Sequence, residues 1–193
     1  MIAVTENTVF ALAERIRTAA EKKKIFIVAV DGRCASGKTT LAKVLSEMLD
    51  CSLVHTDDFY LQPFQRTPER YAEPGGNLDR ERLIAEVLLP LKNGAQVSYR
   101  PFDCKKMSLG EEISLPLKGI YIIEGSYSCH PELRCYYDMA VFVTTDRKTQ
   151  KERICMRNGE DRLDDFLNKW IPLEEKYFEA FDVEGKSDAV IRS

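Results

Sequence analysis

The sequence predicts a three-layer α/β fold, a mainly parallel sheet flanked by helices, and three observations predict it. An apolar run, Ile25-Phe26-Ile27-Val28-Ala29-Val30, reads as a buried strand. It leads into Asp31-Gly32-Arg33-Cys34-Ala35-Ser36-Gly37-Lys38-Thr39-Thr40, which contains the pattern G-x-x-x-x-G-K-[ST], and then into the helical pattern 41–49. Beyond it, strand-like and helix-like segments alternate, which implies βαβ units and a parallel sheet.

The central pattern is the P-loop, and each residue type in it has a physical task. Gly32 and Gly37 permit backbone angles and a close phosphate approach that a Cβ would obstruct. The N–H groups through Ala35, Ser36 and Thr40 form, with the helix N-terminus, a concave nest for an anion. Lys38 adds a mobile cation for the β- and γ-phosphates, and the Thr39 hydroxyl suits a Mg²⁺ ligand. The expected ligand is a nucleoside triphosphate.

Composition bounds the rest. A chain of 193 residues, 44% hydrophobic and 31% charged, suits one domain, 1–193, with a substantial core. A net charge of −3 carries no basic footprint, so neither nucleic acid nor anionic membrane is expected as a partner. The six cysteines form no C-x-x-C pair and only two histidines accompany them, which argues against a zinc cluster and for reduced thiols in the cytoplasm. With no signal-peptide pattern and no apolar run of spanning length, a soluble protein is expected, and a homo-oligomer stays open.

Taken in order, the segment from Thr5 to about Lys22 has apolar residues at helical spacing and Thr5 or Asn7 as its cap. Cys51 to His55 reads as a short strand. At its end stands His55-Thr56-Asp57-Asp58-Phe59-Tyr60, where a carboxylate would share the strand-end crevice with the P-loop. Adjacent side chains diverge, so only one of Asp57 and Asp58 is expected to face it. The polar stretch 61–77 carries Pro63, Pro68, Pro74, Gly75 and Gly76 and reads as a flap. Asn77-Leu78-Asp79 precedes a helix stopped by Pro90 and Asn93-Gly94, and residue chemistry favours Asp79 as its N-cap.

Gln96–Asp103 and Glu111–Leu115 flank a Lys-bearing link and read as a small β-hairpin excursion. Ile120 to Gly125 has the form of a Walker B strand, whose terminal Glu124 would reach Mg²⁺. His130 reads as the start of a helix, Met139 to Val143 as a further strand, and Asp188 to Ile191 as the last one. The charged helix from Asp146 to Arg162 reads as a lid, about 147–165, able to bring Arg153, Arg157 and Arg162 over a triphosphate. Phe166, Trp170, Leu173, Tyr177 and Phe181 form a stripe read as core packing, interrupted by Pro172.

With these pieces in order, the chain resembles the uridine kinase family of P-loop kinases, a group that also takes in phosphoribulokinase, bacterial pantothenate kinase and nicotinamide riboside kinase relatives. The resemblance runs from about Ile25 to Ile191 and implies the P-loop NTPase fold, ATP and Mg²⁺ as cofactors, and a small nucleoside-like acceptor. It implies that Asp57 is the general base and also a metal ligand with Thr39 and Glu124. By the same resemblance Lys38 is catalytic, Asp79 binds ribose hydroxyls, and Tyr60, Phe102 and Asp103 line the acceptor site. Uridine kinases proper carry a Tyr where this chain has Phe102, then a His and an Arg; here Asp103-Cys-Lys-Lys-Met-Ser-Leu109 has neither.

The implied activity is transfer of the ATP γ-phosphoryl group to a hydroxyl. A neutral hydroxyl must lose its proton as it attacks, which gives Asp57 a purpose that a phosphate acceptor would not need. The alternatives are a kinase for pantothenate, a sugar phosphate or another hydroxyl metabolite, and a nucleotide-dependent regulatory protein with no acceptor.

Overall fold

The computed structural model describes residues 2–3 and 6–193. Strand β1 (Ile2–Ala3) is followed by helix α1 (Glu6–Ala20), β2 (Phe26–Gly32), α2 (Lys38–Leu49) and β3 (Ser52–His55). Four short strands follow, β4 (Ser98–Tyr99), β5 (Phe102–Asp103), β6 (Ser108–Leu109) and β7 (Ile113–Ser114), then β8 (Ile120–Glu124), β9 (Met139–Thr144) and β10 (Ala189–Arg192). The main sheet has the order β1-β10-β9-β2-β8-β3, and all its ladders are parallel. The expected hairpin excursion is present as two antiparallel ladders, β4 with β7 and β5 with β6. Of the two proposed caps of α1, Thr5 lies outside the described residues and Asn7 lies inside the first turn.

Every residue of β2 is buried because helices cover both faces of the sheet. Its side chains alternate between two cores. Val28 and Val30 meet Leu12 and Ile16 of α1 and Leu41 and Leu45 of α2, while Ile27 and Ala29 meet Leu83, Val87, Leu91, Tyr177 and Phe178. The result is helix, sheet, helix. No helix among the described residues is long and apolar enough to cross a membrane, and all six cysteines are free thiols.

Two prolines expected to interrupt helices do not. The helix after Asp79 runs on through Pro90 to Lys92, with a π-helical turn at Ile84–Leu88 just before the proline. A second π turn, Phe166–Trp170, precedes Pro172 and the helix Ile171–Phe181. A proline inside an α-helix costs about 3 kcal/mol through a lost hydrogen bond and a clash with the carbonyl four residues back, and widening the preceding turn relieves that clash. Burial then decides the outcome: Val87, Leu88 and Leu91 are fully buried, at roughly 2 kcal/mol each.

Candidate active site

The P-loop leaves β2 where the sheet changes direction, with β8 on one side and β9 on the other. Ligands of open α/β sheets gather at that point. Gly32 is at φ 140°, and a Cβ there would overlap the Val143 carbonyl oxygen of β9, so strand proximity demands glycine. Gly37, at φ 90°, has open space around it and is required by its backbone angle alone. Lys38 opens α2, 8% exposed, and its Nζ donates to the carbonyls of Gly32 at 2.7 Å and Arg33 at 3.0 Å. A cavity of ≈ 750 Å³ lies along the loop, from Ala35 to Leu41, and is closed by Val9, Val44, Val143, Arg153, Arg157 and Ser193.

Glu124, at the carboxyl end of β8, is 3% exposed. Thr39 Oγ1 donates to its Oε1 at 2.9 Å, and His55 Nδ1 lies 2.8 Å from its Oε2. The hydrogen bond to Glu124, opposed by burial, raises the His55 pKa, with help from the Glu124, Asp58 and Asp57 charges. Hydroxyl and carboxylate oxygens are the donors a hard divalent cation takes, and Mg²⁺ typically needs only one or two carboxylates beside substrate phosphates. Thr39 and Glu124 fit that pattern. No cluster of three or more His, Cys, Asp or Glu able to hold a metal occurs among the described residues.

The adjacent aspartates separate as their geometry requires. They sit in a 3₁₀ turn, Thr56–Phe59, directly after β3. Asp58 Oδ2 accepts a hydrogen bond from Tyr99 of β4 at 3.0 Å, which ties the hairpin arm to this turn; burial raises its pKa. Asp57 is exposed, and its Oδ1 accepts from the Tyr60 hydroxyl at 3.0 Å. Burial and then the Asp57 charge hold the Tyr60 hydroxyl firmly protonated, so it acts as a donor that orients Asp57.

Other residues proposed for the site are engaged elsewhere. Asp79 is fully buried and caps the following helix, its Oδ1 accepting the Arg82 N–H at 3.1 Å, while its buried Oδ2 has no protein partner. Phe102 is buried beneath the Arg66 guanidinium, 5.4 Å from the ring centre. Asp103 Oδ1 accepts the N–H groups of Lys105 and Lys106, which shapes the tip of the hairpin arm. Arg157 reaches the P-loop, its Nη2 lying 3.7 Å from Cys34 Sγ, whereas Arg162 pairs with exposed Asp165 at 2.9 Å. Arg153 touches the loop more closely, bonding the Ala35 carbonyl at 3.3 Å and Ser193 Oγ at 2.7 Å.

Behind the loop lie two buried carboxyls. Asp31 is fully buried; its Oδ1 accepts the Gly32 N–H at 2.7 Å, and its Oδ2 accepts the Cys129 N–H at 2.9 Å and the Tyr177 hydroxyl at 2.8 Å. Glu174 accepts the Cys34 N–H at 2.8 Å and the Ser126 hydroxyl at 2.9 Å. Burial raises both pKa values, against the pull of Lys38. Arg33 pairs with Glu175 at 2.8 Å. The helix Ile171–Phe181 thus fastens the first half of the P-loop through Glu174, Glu175 and Tyr177.

No family model matches the chain. Among curated proteins it is 29% identical to uridine-cytidine kinase B of Dictyostelium discoideum over 150 residues, which cover 72% of this chain and 61% of that one. It is 28% identical to the uridine kinase of Lactococcus lactis subsp. cremoris over 173 residues, 82% of each chain. These likenesses are to uridine kinases, and they support a uridine kinase-like chain. It spans less than two thirds of the Dictyostelium relative. Among solved structures, a kinase from Silicibacter sp. TM1040 named for a fructose transport system aligns with a TM-score of 0.70 over 94% of this chain and 98% of its own, at 19% identity, a likeness of fold.

The structure brings Lys38, Thr39, Glu124, Asp57 and Tyr60 to the carboxyl-terminal edge of the sheet. It gives Asp79, Phe102 and Asp103 framework roles, as a helix cap, a buried ring and a turn. Residue patterns missed His55, Asp31, Glu174 and Ser193. Only His55 left a trace in the sequence, as a polar residue ending an otherwise strand-like run before the aspartates.

Proposed function

We propose that the chain transfers the γ-phosphoryl group of ATP to a hydroxyl of a small-molecule acceptor. The observation that carries this reading is the position of Asp57: exposed, oriented by the Tyr60 hydroxyl, and beside the His55–Glu124–Thr39 chain that leads to the P-loop. A nucleotide switch has no use for such a base.

In this reading the loop N–H groups and Lys38 take the β- and γ-phosphates, and Lys38 leaves the carbonyls of Gly32 and Arg33 to do so. Thr39 and Glu124, with Asp57 as a further candidate ligand, would hold Mg²⁺, which neutralises charge on the phosphates when bound. Asp57 accepts the acceptor hydroxyl's proton as the oxygen attacks. Arg153 and Arg157 contribute positive charge at the loop, and the 147–165 segment acts as the lid that excludes water. Six free thiols support a reducing compartment, the cytoplasm.

The names of the relatives support a nucleoside acceptor. A different hydroxyl metabolite is the second reading, favoured by Phe102 lying buried under Arg66 and by Asp103 being spent on its own turn. ADP release measured against a panel of nucleosides, sugars and other hydroxyl metabolites tests both. Asp57→Asn is expected to lower acceptor-stimulated turnover by roughly 10²- to 10⁴-fold with ATP affinity preserved. ADP release that no acceptor stimulates, or an Asp57→Asn variant with undiminished turnover, would overturn the reading.

A further inference from the structure

We propose that His55 is a positioning residue that locks the plane of the Glu124 carboxylate for the divalent cation. The inference rests on the reading that Glu124 and Thr39 serve a metal–nucleotide complex. His55 and Glu124 are register partners on the parallel strands β3 and β8, each the last residue of its strand, so their side chains leave the sheet on the same side. The two oxygens of Glu124 then have separate partners, Thr39 Oγ1 at 2.9 Å and His55 Nδ1 at 2.8 Å.

The terminal torsion of a glutamate is broad and roughly two-fold. A single hydrogen bond leaves the carboxylate free to turn about that contact; one on each oxygen fixes its plane. Packing does not explain the histidine, because its side chain is 41% exposed while Glu124 beside it is almost wholly buried. A carboxylate can only accept, so Nδ1 carries the proton and the other ring nitrogen is left over. Partners of this kind, which do not touch the ion but hold its ligand, typically account for 10- to 100-fold in metal affinity.

The test titrates Mn²⁺ into protein saturated with a non-hydrolysable ATP analogue, with free Mn²⁺ read by electron paramagnetic resonance. His55→Ala is expected to weaken Mn²⁺ by about 10-fold or more, with its melting temperature and its metal-free nucleotide affinity close to wild type. His55→Asn, whose amide N–H stands near the position of Nδ1, should recover most of that loss. In a Glu124→Gln background, His55→Ala should cost nothing further. Wild-type Mn²⁺ affinity in His55→Ala, or a loss that His55→Asn fails to recover, overturns the positioning role alone. If the wild-type complex itself takes up no Mn²⁺, the metal role of Glu124 falls, and this inference with it.

Discussion

Acidification should unfasten His130, and the size of the effect follows from its surroundings. The residue is 5% exposed and caps the short helix Pro131–Arg134, its Nδ1 accepting the Glu132 N–H at 3.3 Å. Its ring stacks on Tyr177 at 6.2 Å and meets the edge of Phe181 at 4.9 Å. Burial first, and then the Arg80 charge, lower its pKa from 6.5 to about 4, with Arg70 adding to the shift and Glu132 and Glu73 opposing it. Because the folded value is depressed, the unfolded chain binds the proton first. The stabilisation is therefore complete above the unfolded value and is lost as pH falls from about 6.5 towards 4. At about 1.4 kcal/mol per unit, linkage gives a loss of about 2 kcal/mol by pH 5 and about 3 kcal/mol by pH 4.

The wild-type curve alone would not isolate this, because Asp31, Asp58 and Glu174 have raised values and act with the opposite sign. Those carboxyls are protonated more readily in the fold, so they add stability as pH falls through their folded values. His130→Asn removes the titration while keeping an acceptor for the cap. Urea unfolding of both proteins from pH 7.5 to 4.5 gives the difference, in which the carboxyls cancel. Wild type should be the more stable at pH 7.5, since the variant loses ring contacts, and its advantage should shrink by about 2 kcal/mol at pH 5. An advantage constant within about 0.5 kcal/mol would refute the assignment, since site-independent effects add to within that margin.

Two further outcomes follow from contacts around the P-loop. Gly32→Ala forces a Cβ into the Val143 carbonyl, a backbone atom of a central strand that cannot swing away, so a loss of about 4 kcal/mol or more is expected in thermal or urea unfolding; near-wild-type stability would mean that β2 and β9 are further apart at this point. Tyr99→Phe removes the donor to the half-buried Asp58 and should cost about 1–2 kcal/mol by urea unfolding, while nucleotide affinity stays unchanged because Asp57, not Asp58, faces the crevice in the proposed reading.

What the sequence made legible divides by the distance over which each residue finds its partner. The P-loop, the strand ending in Glu124, the Asp57-Asp58 turn and the hairpin arm are written in neighbouring residues, and spacing alone places them. Local rules predict breaks at Pro90 and Pro172, because a proline disfavours an α-helix. The fold answers with a π turn before each, and the burial of Val87, Leu88 and Leu91 outweighs what remains of the cost. His55 shows in the sequence only as a polar strand end, with nothing to mark its partner. Its role needs the β3–β8 register, which places it opposite a residue 69 positions later.

The aromatic stripe at the C-terminal end shows the same limit from the other side. Its spacing predicts core packing, and Tyr177 is fully buried. Yet the same helix also carries Glu174 and Glu175, which by type belong on a surface, and all three side chains end on P-loop residues some 140 positions earlier: Tyr177 on Asp31, Glu174 on Cys34 and Glu175 on Arg33. A buried carboxyl without partners costs several kcal/mol, so Glu174 is tolerated only where the Cys34 N–H and the Ser126 hydroxyl meet it. Those two donors come from the loop after β2, which leads to Lys38, and the loop after β8, the strand that ends in Glu124. The helix therefore ties the loop after β2 to the loop after β8, and a sequence pattern that counts only apolar residues assigns it to packing because its polar partners on the P-loop lie some 140 positions earlier.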